Sequence, residues 1–224
     1  MNGFQLADFD FNGIKHVITG SDPPHDIRFV RTIVKWPEPG IIWMRQVHGA
    51  IVHRIDSRAD AGKYIGSGGD AIMIFERKLP ISIFTADCVP MMIFSDKGEF
   101  VGLIHGSWRT IKLGIIENFM GILLENFDGE IHDIHCVMGP CILGREYEVG
   151  WKVASLFPDS INRKPGNKWL LDLPSEAKRR LMKLGIWEPN IKEPSISTYS
   201  EDWLPSYRRE GKGAGRIRTI IWLD

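Results

Sequence analysis

Several features that would mark a specialised class are missing from this sequence. No apolar run approaches the ~18 residues a membrane-spanning helix needs. Lys+Arg and Asp+Glu both number 28, so the formal net charge is +0 and no global field favours nucleic acid, an anionic membrane or an acidic polymer. Cysteine is scarce. Cys88, Cys136 and Cys141 are odd in number, fit no disulfide framework and form no CxxC pair, which points to a reducing compartment. The N-terminal MNGFQLADFDFNG puts acids where a secretory signal would be basic and lacks an apolar core, so the expected location is the cytoplasm. Repeats and low-complexity tracts are also lacking. What remains is an ordinary globular composition, 43% hydrophobic and 25% charged over 224 residues. That is enough chain to bury a full core, and one domain over residues 1–224 is expected.

Short β-rich runs punctuate the first two-thirds: Ile41–Val47, Asp70–Phe75, Ile81–Phe84, Val89–Phe94, Phe100–His105 and Ile131–Met138. Most are continuously apolar rather than alternating, so both faces of the central strands should be covered, by helices on at least one side. Apolar residues recur at helical spacing over Ile111–Phe127 (Leu113, Ile116, Met120, Leu123, Leu124, Phe127), with Gly129 as a stop. The opposite face carries Ile115, Phe119 and Ile122, which predicts a helix packed between two layers. A second helix is predicted over Pro174–Leu184, with Pro in its first turn and Gly185 after it. Asp159–Asn167 and Glu188–Ser195 read as loops, and Arg216–Leu223 as a final strand. The fold class expected is α/β, with α and β mixed: a single domain whose mixed β-sheet core is covered by helices.

Three predicted strand ends pair a reactive side chain with a tight turn: Gln46-Val47-His48-Gly49, Ala86-Asp87-Cys88-Val89-Pro90 and His105-Gly106-Ser107-Trp108-Arg109. Two imidazoles and a thiolate form a known catalytic zinc set that leaves the fourth tetrahedral position open. His48, Cys88 and His105 are far apart in sequence, so only the fold could bring them together. The alternative is plain: a lone buried Cys acts as a small hydrophobe, and a His at a strand end is commonly just hydrogen-bonded. Cys136, Cys141, His53, His132 and His135 are read as structural.

The ordered series WMRQVHGA, GDAIMIF, FTADCVPMMI, GLIHGSWRTIKLGI, MGPCILGREYEVG, DLPSEAKRRLMKLGI and SYRREGKGAGRIRTIIWL, over about residues 41 to 224, resembles the successive motifs of the YfiH-like family. These are laccase-domain proteins also described as purine nucleoside phosphorylases. The resemblance implies a single α/β domain and a zinc ion held by His48, Cys88 and His105. Two departures stand out. The family's N-terminal Thr-Arg and Gly-Gly loop is here HVITGSDPPHDIRF, with Gly20 where the Arg is expected. Its G-P-C-C-Y-E-V is here GREYEV, so those cysteines are not required for zinc binding in this chain.

The resemblance further implies phosphorolysis of purine nucleosides (adenosine, inosine, methylthioadenosine) together with deamination of adenosine. The deaminase signature H-x-E with P-C-x-x-C is absent from the sequence. Phosphorolysis requires donors that hold phosphate against C1′ of the ribose. Arg109, four residues after His105 at a predicted helix start, is the leading phosphate candidate. Tyr207, Arg208 and Arg209, with Gly213, Gly215 and Arg216, form a second basic segment that could face the ligand. Gln46 shares the face of His48 and could bond purine or ribose, and Asp87 could orient a ligand, receive a proton or be structural. The competing functions are a copper polyphenol oxidase, for which 7 His are few, a metal-free hydrolase with Cys88 as nucleophile and His105 as base, and a non-enzymatic nucleoside-binding module.

Overall fold

A computed structural model of the chain describes residues 6, 11, 13–20 and 40–224. Its centre is a six-stranded mixed sheet built from β3 (Val52–Ile55), β4 (Ala71–Ile74), β6 (Val89–Ser95), β7 (Val101–Gly106), β8 (Ile134–Met138) and β12 (Ile191–Lys192), in the order β12-β8-β6-β7-β4-β3. The outer pairs β3·β4 and β8·β12 are parallel, and the inner pairs are antiparallel. A four-stranded sheet of β1 (Ile14–Thr19), β2 (Ile42–Trp43), β5 (Ile81–Thr85) and β13 (Ile217–Leu223) runs β1-β13-β5-β2.

The continuous apolarity of the central strands is explained by two covered faces. On β6, Met92 and Phe94 pack with Ile83, Ile217 and Ile221 of the second sheet. Their neighbours Met91 and Ile93 join Ile116, Phe119 and Met120 of helix α3 (Ile115–Leu124) and Leu181 of helix α5 (Leu173–Lys183). The order is therefore helix, sheet, sheet, with helices covering one side and a sheet the other. Gly102 on β7 lets the layers close, since a Cβ there would overlap the Phe119 ring.

The helix predicted over Ile111–Phe127 is two helices. Helix α2 (Trp108–Lys112), which follows the single-turn α1 (Arg58–Ala61), is opened by a capping box between Ser107 and Thr110, and Gly114, at φ 83, starts α3, with the single-turn α4 (Trp151–Ala154) next in the chain. The left-handed glycine breaks the ladder, so Leu113 is 58% exposed rather than part of an apolar stripe. Helix α5 matches its expectation: Asp172 caps the Ser175 amide, and Gly185, at φ 101, follows its end.

The loop expected over Asp159–Asn167 instead holds β10 (Ile161–Lys164), which pairs with β11 (Lys168–Leu171) next to β9 (Glu148–Val149). Asn162, Arg163 and Lys164 are all exposed, so burial left no periodic signal there. Strand β12 likewise occupies part of the loop expected over Glu188–Ser195. The strand expected at Ile41–Val47 is confined to β2, and residues 131–133 of Ile131–Met138 form a 3-10 turn. The N-terminal loop after Gly20 lies outside the described residues. Among the described residues no helix is long and apolar enough to cross a membrane.

Candidate active site

Sheet register brings the three strand-end turns together. Strands β6 and β7 pair antiparallel with Val89 opposite Gly106 and Pro90 opposite His105, so Cys88, just before β6, lies beside the end of β7. Strand β4 flanks β7 on the other side, and His105 N–H donates to the Asp70 carbonyl at 2.8 Å. The turn at His48 wraps onto the Asp70 side chain. This buried carboxylate accepts from the amides of Val47 (3.2 Å), His48 (3.0 Å) and Gly49 (2.8 Å), and from His105 Nδ1 (2.8 Å).

Those three amide bonds hold His48 at φ 56, a left-handed conformation unusual for a side-chain-bearing residue. Local sequence alone would not keep it there. Asp70 therefore sets both imidazoles, turning His48 through its backbone and fixing His105 through its ring. The two rings stand edge to face, with centroids 4.9 Å apart. Burial tends to raise the Asp70 pKa, but the His105 and backbone hydrogen bonds outweigh it and hold the carboxyl below its ordinary value.

Ligand atoms of His48, Cys88 and His105 lie within 4.8 Å of one another, and His48 is exposed while His105 is buried. Burial pushes the Cys88 thiol up, but the two imidazoles overcome this and bring it down to about 6. Burial lowers His105, yet the Cys88 thiolate and Asp70 raise it to about 9. A thiolate with two imidazoles, one oriented by a carboxylate, is the donor set of a borderline-soft cation such as zinc, and the residues present fit that metal. Metal binding would displace the proton from the pair.

The cluster lies in the wall of a cavity of about 760 Å³, within the range of small-molecule sites. Its lining is aromatic and basic: Trp43, Phe84, Trp108, Tyr147 and Tyr207, with Arg45, Arg109, Arg208 and Arg216. Among the described lining residues Asp87 is the one carboxylate. Asp87 sits at φ 83 and is spent structurally, accepting from Thr198 Oγ1 (2.7 Å) and the Arg208 amide (2.6 Å). It thereby pins helix α6 (Tyr207–Glu210) to the site.

The expected site residues divide. Arg109 is exposed and stacks on Trp108 at 4.4 Å, and its guanidinium makes no hydrogen bond or ion pair among the described residues, which leaves it free for an anion. Tyr207 and Arg208 line the cavity, and Arg208 also donates to the Glu148 carbonyl at 2.6 Å. Gln46 lines it too, but its amide closes on the Phe84 backbone, donating to O at 2.6 Å and accepting from N at 2.7 Å. Arg209 is not in the lining; its guanidinium bonds the carbonyls of Thr198, Tyr199 and Leu204 and the Glu210 carboxylate. Asp70 and Tyr147 were not singled out from the sequence, although both lie inside the GDAIMIF and GREYEVG segments.

A sequence profile of the family described as multi-copper polyphenol oxidoreductase laccase matches residues 20–224. The chain is 30% identical over 190 residues to the purine nucleoside phosphorylase YfiH of Escherichia coli K12, covering 81% of this chain and 73% of that protein. It is 27% identical over 191 residues to a purine nucleoside phosphorylase of Xylella fastidiosa strain 9a5c, covering 81% and 71%. The fold is shared with the crystal structure of hypothetical protein YfiH of Bacillus licheniformis (TM-score 0.84, 22% identity, 95% of this chain and 94% of that one). YlmD of Geobacillus stearothermophilus aligns equally well (TM-score 0.84, 22% identity, 95% and 93%). On these matches the chain belongs to the YfiH-like, laccase-domain family.

Proposed function

We propose that the protein is a zinc-dependent purine nucleoside phosphorylase acting on adenosine, inosine and methylthioadenosine, with adenosine deamination as a second activity. The observation that carries this reading is the meeting of His48, Cys88 and His105 in the wall of a cavity that also presents the uncommitted guanidinium of Arg109. The relatives' names agree with the phosphorylase part of it. In this account His48, Cys88 and His105 hold the zinc, which when bound supplies Lewis acidity at the reacting centre. Arg109 offers phosphate a planar fork of donors. Arg208, over the Tyr147 ring at 5.1 Å, adds a second positive charge. The aromatic walls receive the purine face and exclude water from the ribose carbon. Asp70 keeps the imidazoles in place through the strained His48 turn.

The test is metal analysis coupled to turnover. The protein should carry about one zinc per chain, and it should release base and ribose 1-phosphate from inosine when phosphate is present. Retention of zinc by a Cys88→Ala protein, or turnover indifferent to phosphate, would overturn the reading. One observation favours a second reading: Cys88, at about 6, and His105, at about 9, form a thiolate–imidazolium pair suited to a metal-free Cys–His hydrolase. Full hydrolytic activity after chelation would select it. For a copper polyphenol oxidase the described residues bring together one group of three His/Cys/Asp/Glu donors, whereas oxygen reduction at a trinuclear cluster draws on many imidazoles.

A further inference from the structure

Phosphorolysis leaves one chemical demand that the metal ligands and the arginines do not meet. The departing purine leaves poorly as an anion and well once a proton reaches its N7, so the cavity needs a neutral acid near the base. His48, Cys88 and His105 are committed to the cation, and arginines hold their protons. Asp87 is tied to Thr198 and the Arg208 amide.

Tyr147 is the remaining acid with the right surroundings. Its half-buried ring lines the cavity with Arg208 stacked on it. Arg208, stacked on its ring, bonds through its amide to Asp87, the chain neighbour of Cys88, so the ring stands on the side of the cavity that carries the metal ligands. Its hydroxyl has no hydrogen-bond partner among the described residues, and it is not among the buried polar atoms sealed off without one. A phenol held by its ring, with a reachable and unengaged O–H, is placed to donate. The other cavity phenol, Tyr207, is 50% exposed on the short helix α6.

We propose that Tyr147 is the general acid that protonates the departing purine, an inference that rests on the phosphorylase reading above. As the C1′–N9 bond breaks, the bonding electrons pass into the purine and the Tyr147 proton moves to N7. A phosphate oxygen forms the new bond to C1′. The proton that hydrogenphosphate then surrenders restores the phenol through solvent, so the products are neutral base and the ribose 1-phosphate dianion. A phenol is protonated at neutral pH at its ordinary value, and burial pushes this one up to about 12.

The experiment compares two nucleosides in the zinc-loaded wild type and in Tyr147→Phe, which keeps the ring beneath Arg208. Inosine needs a proton at N7. 7-Methylinosine already carries a positive charge there, and its base leaves without one. Tyr147→Phe should lower kcat for inosine by about 100-fold or more, in line with the contribution of a positioned acid, and change kcat for 7-methylinosine by less than about threefold. Equal losses on both nucleosides would make Tyr147 a packing residue and overturn the proposal, as would the same selective loss in Tyr207→Phe with Tyr147→Phe fully active. If the wild type cleaves neither nucleoside with phosphate, the phosphorylase reading itself fails, an outcome distinct from the loss of the Tyr147 assignment alone.

Discussion

Replacing Asp70 with Asn tests whether one buried carboxylate organises the site. Oδ1 of Asp70 accepts from His105 Nδ1 and the His48 amide, and Oδ2 from the amides of Gly49 and Val47. An asparagine keeps one acceptor oxygen, so whichever way its amide turns, two of the four donors face an NH2 group. Hydrogen bonds to a charged acceptor contribute about 1.5–3 kcal/mol each, so the loss is about 3–6 kcal/mol before water recovers part of it at exposed Val47 and half-exposed Gly49. The His48 turn, whose left-handed conformation costs about 1–2 kcal/mol, loses its restraint. A change beside a metal ligand that is released in this way lowers metal affinity about 10–100-fold, or about 1.4–2.8 kcal/mol, which is well inside the loss. Competition for zinc against a chromophoric chelator, with circular dichroism to verify folding, measures it. A folded Asp70→Asn protein that binds zinc as tightly as the wild type would mean that Asp70 does not organise the ligands.

Arg109→Lys keeps the charge but loses the fork, so the KM for phosphate should rise roughly tenfold, with adenosine deamination, which uses no phosphate, much less affected; equal loss of both would make Arg109 a general shaper of the site. Glu176, 1% exposed, is bonded by Arg179, Arg180 and Ser160, and these partners overcome the burial that would raise its pKa and hold it below the ordinary 4.5. A carboxylate lowered in the folded state stabilises above its unfolded value and loses that contribution as pH falls through the folded one. Unfolding free energy should therefore drop as pH falls below about 4.5, and urea titrations of Glu176→Gln should show a shallower drop; an identical slope would contradict the assignment. Gly102→Ala drives a methyl into the Phe119 ring and should cost about 1–3 kcal/mol, read as a lowered Tm, whereas an unchanged Tm would mean that α3 gives way freely.

Composition exposed the layered core because burial on both faces writes itself into β6 as an unbroken apolar run over Val89–Phe94. The three ligand candidates were legible as reactive residues at strand ends, yet their meeting depends on register: Val89 opposite Gly106 and Ala71 opposite Ile104. Asp70 gave no such signal. An acid at the start of a strand looks like any solvated turn residue until three amides and an imidazole from elsewhere converge on it. Arg209 shows the reverse, since its charge beside Arg208 suggested a ligand contact while the fold spends it on backbone carbonyls. The split at Gly114 was hidden because the apolar spacing continues through it, and β10 because its exposed side chains carry no period.

The most direct test of the account is a single reaction: zinc-loaded protein with inosine, with and without phosphate, beside Cys88→Ala. Hypoxanthine and ribose 1-phosphate should form in equal amounts and only with phosphate, and the Cys88→Ala chain should neither retain zinc nor turn over. Base release that ignores phosphate, or stoichiometric copper with consumption of dioxygen, would contradict it.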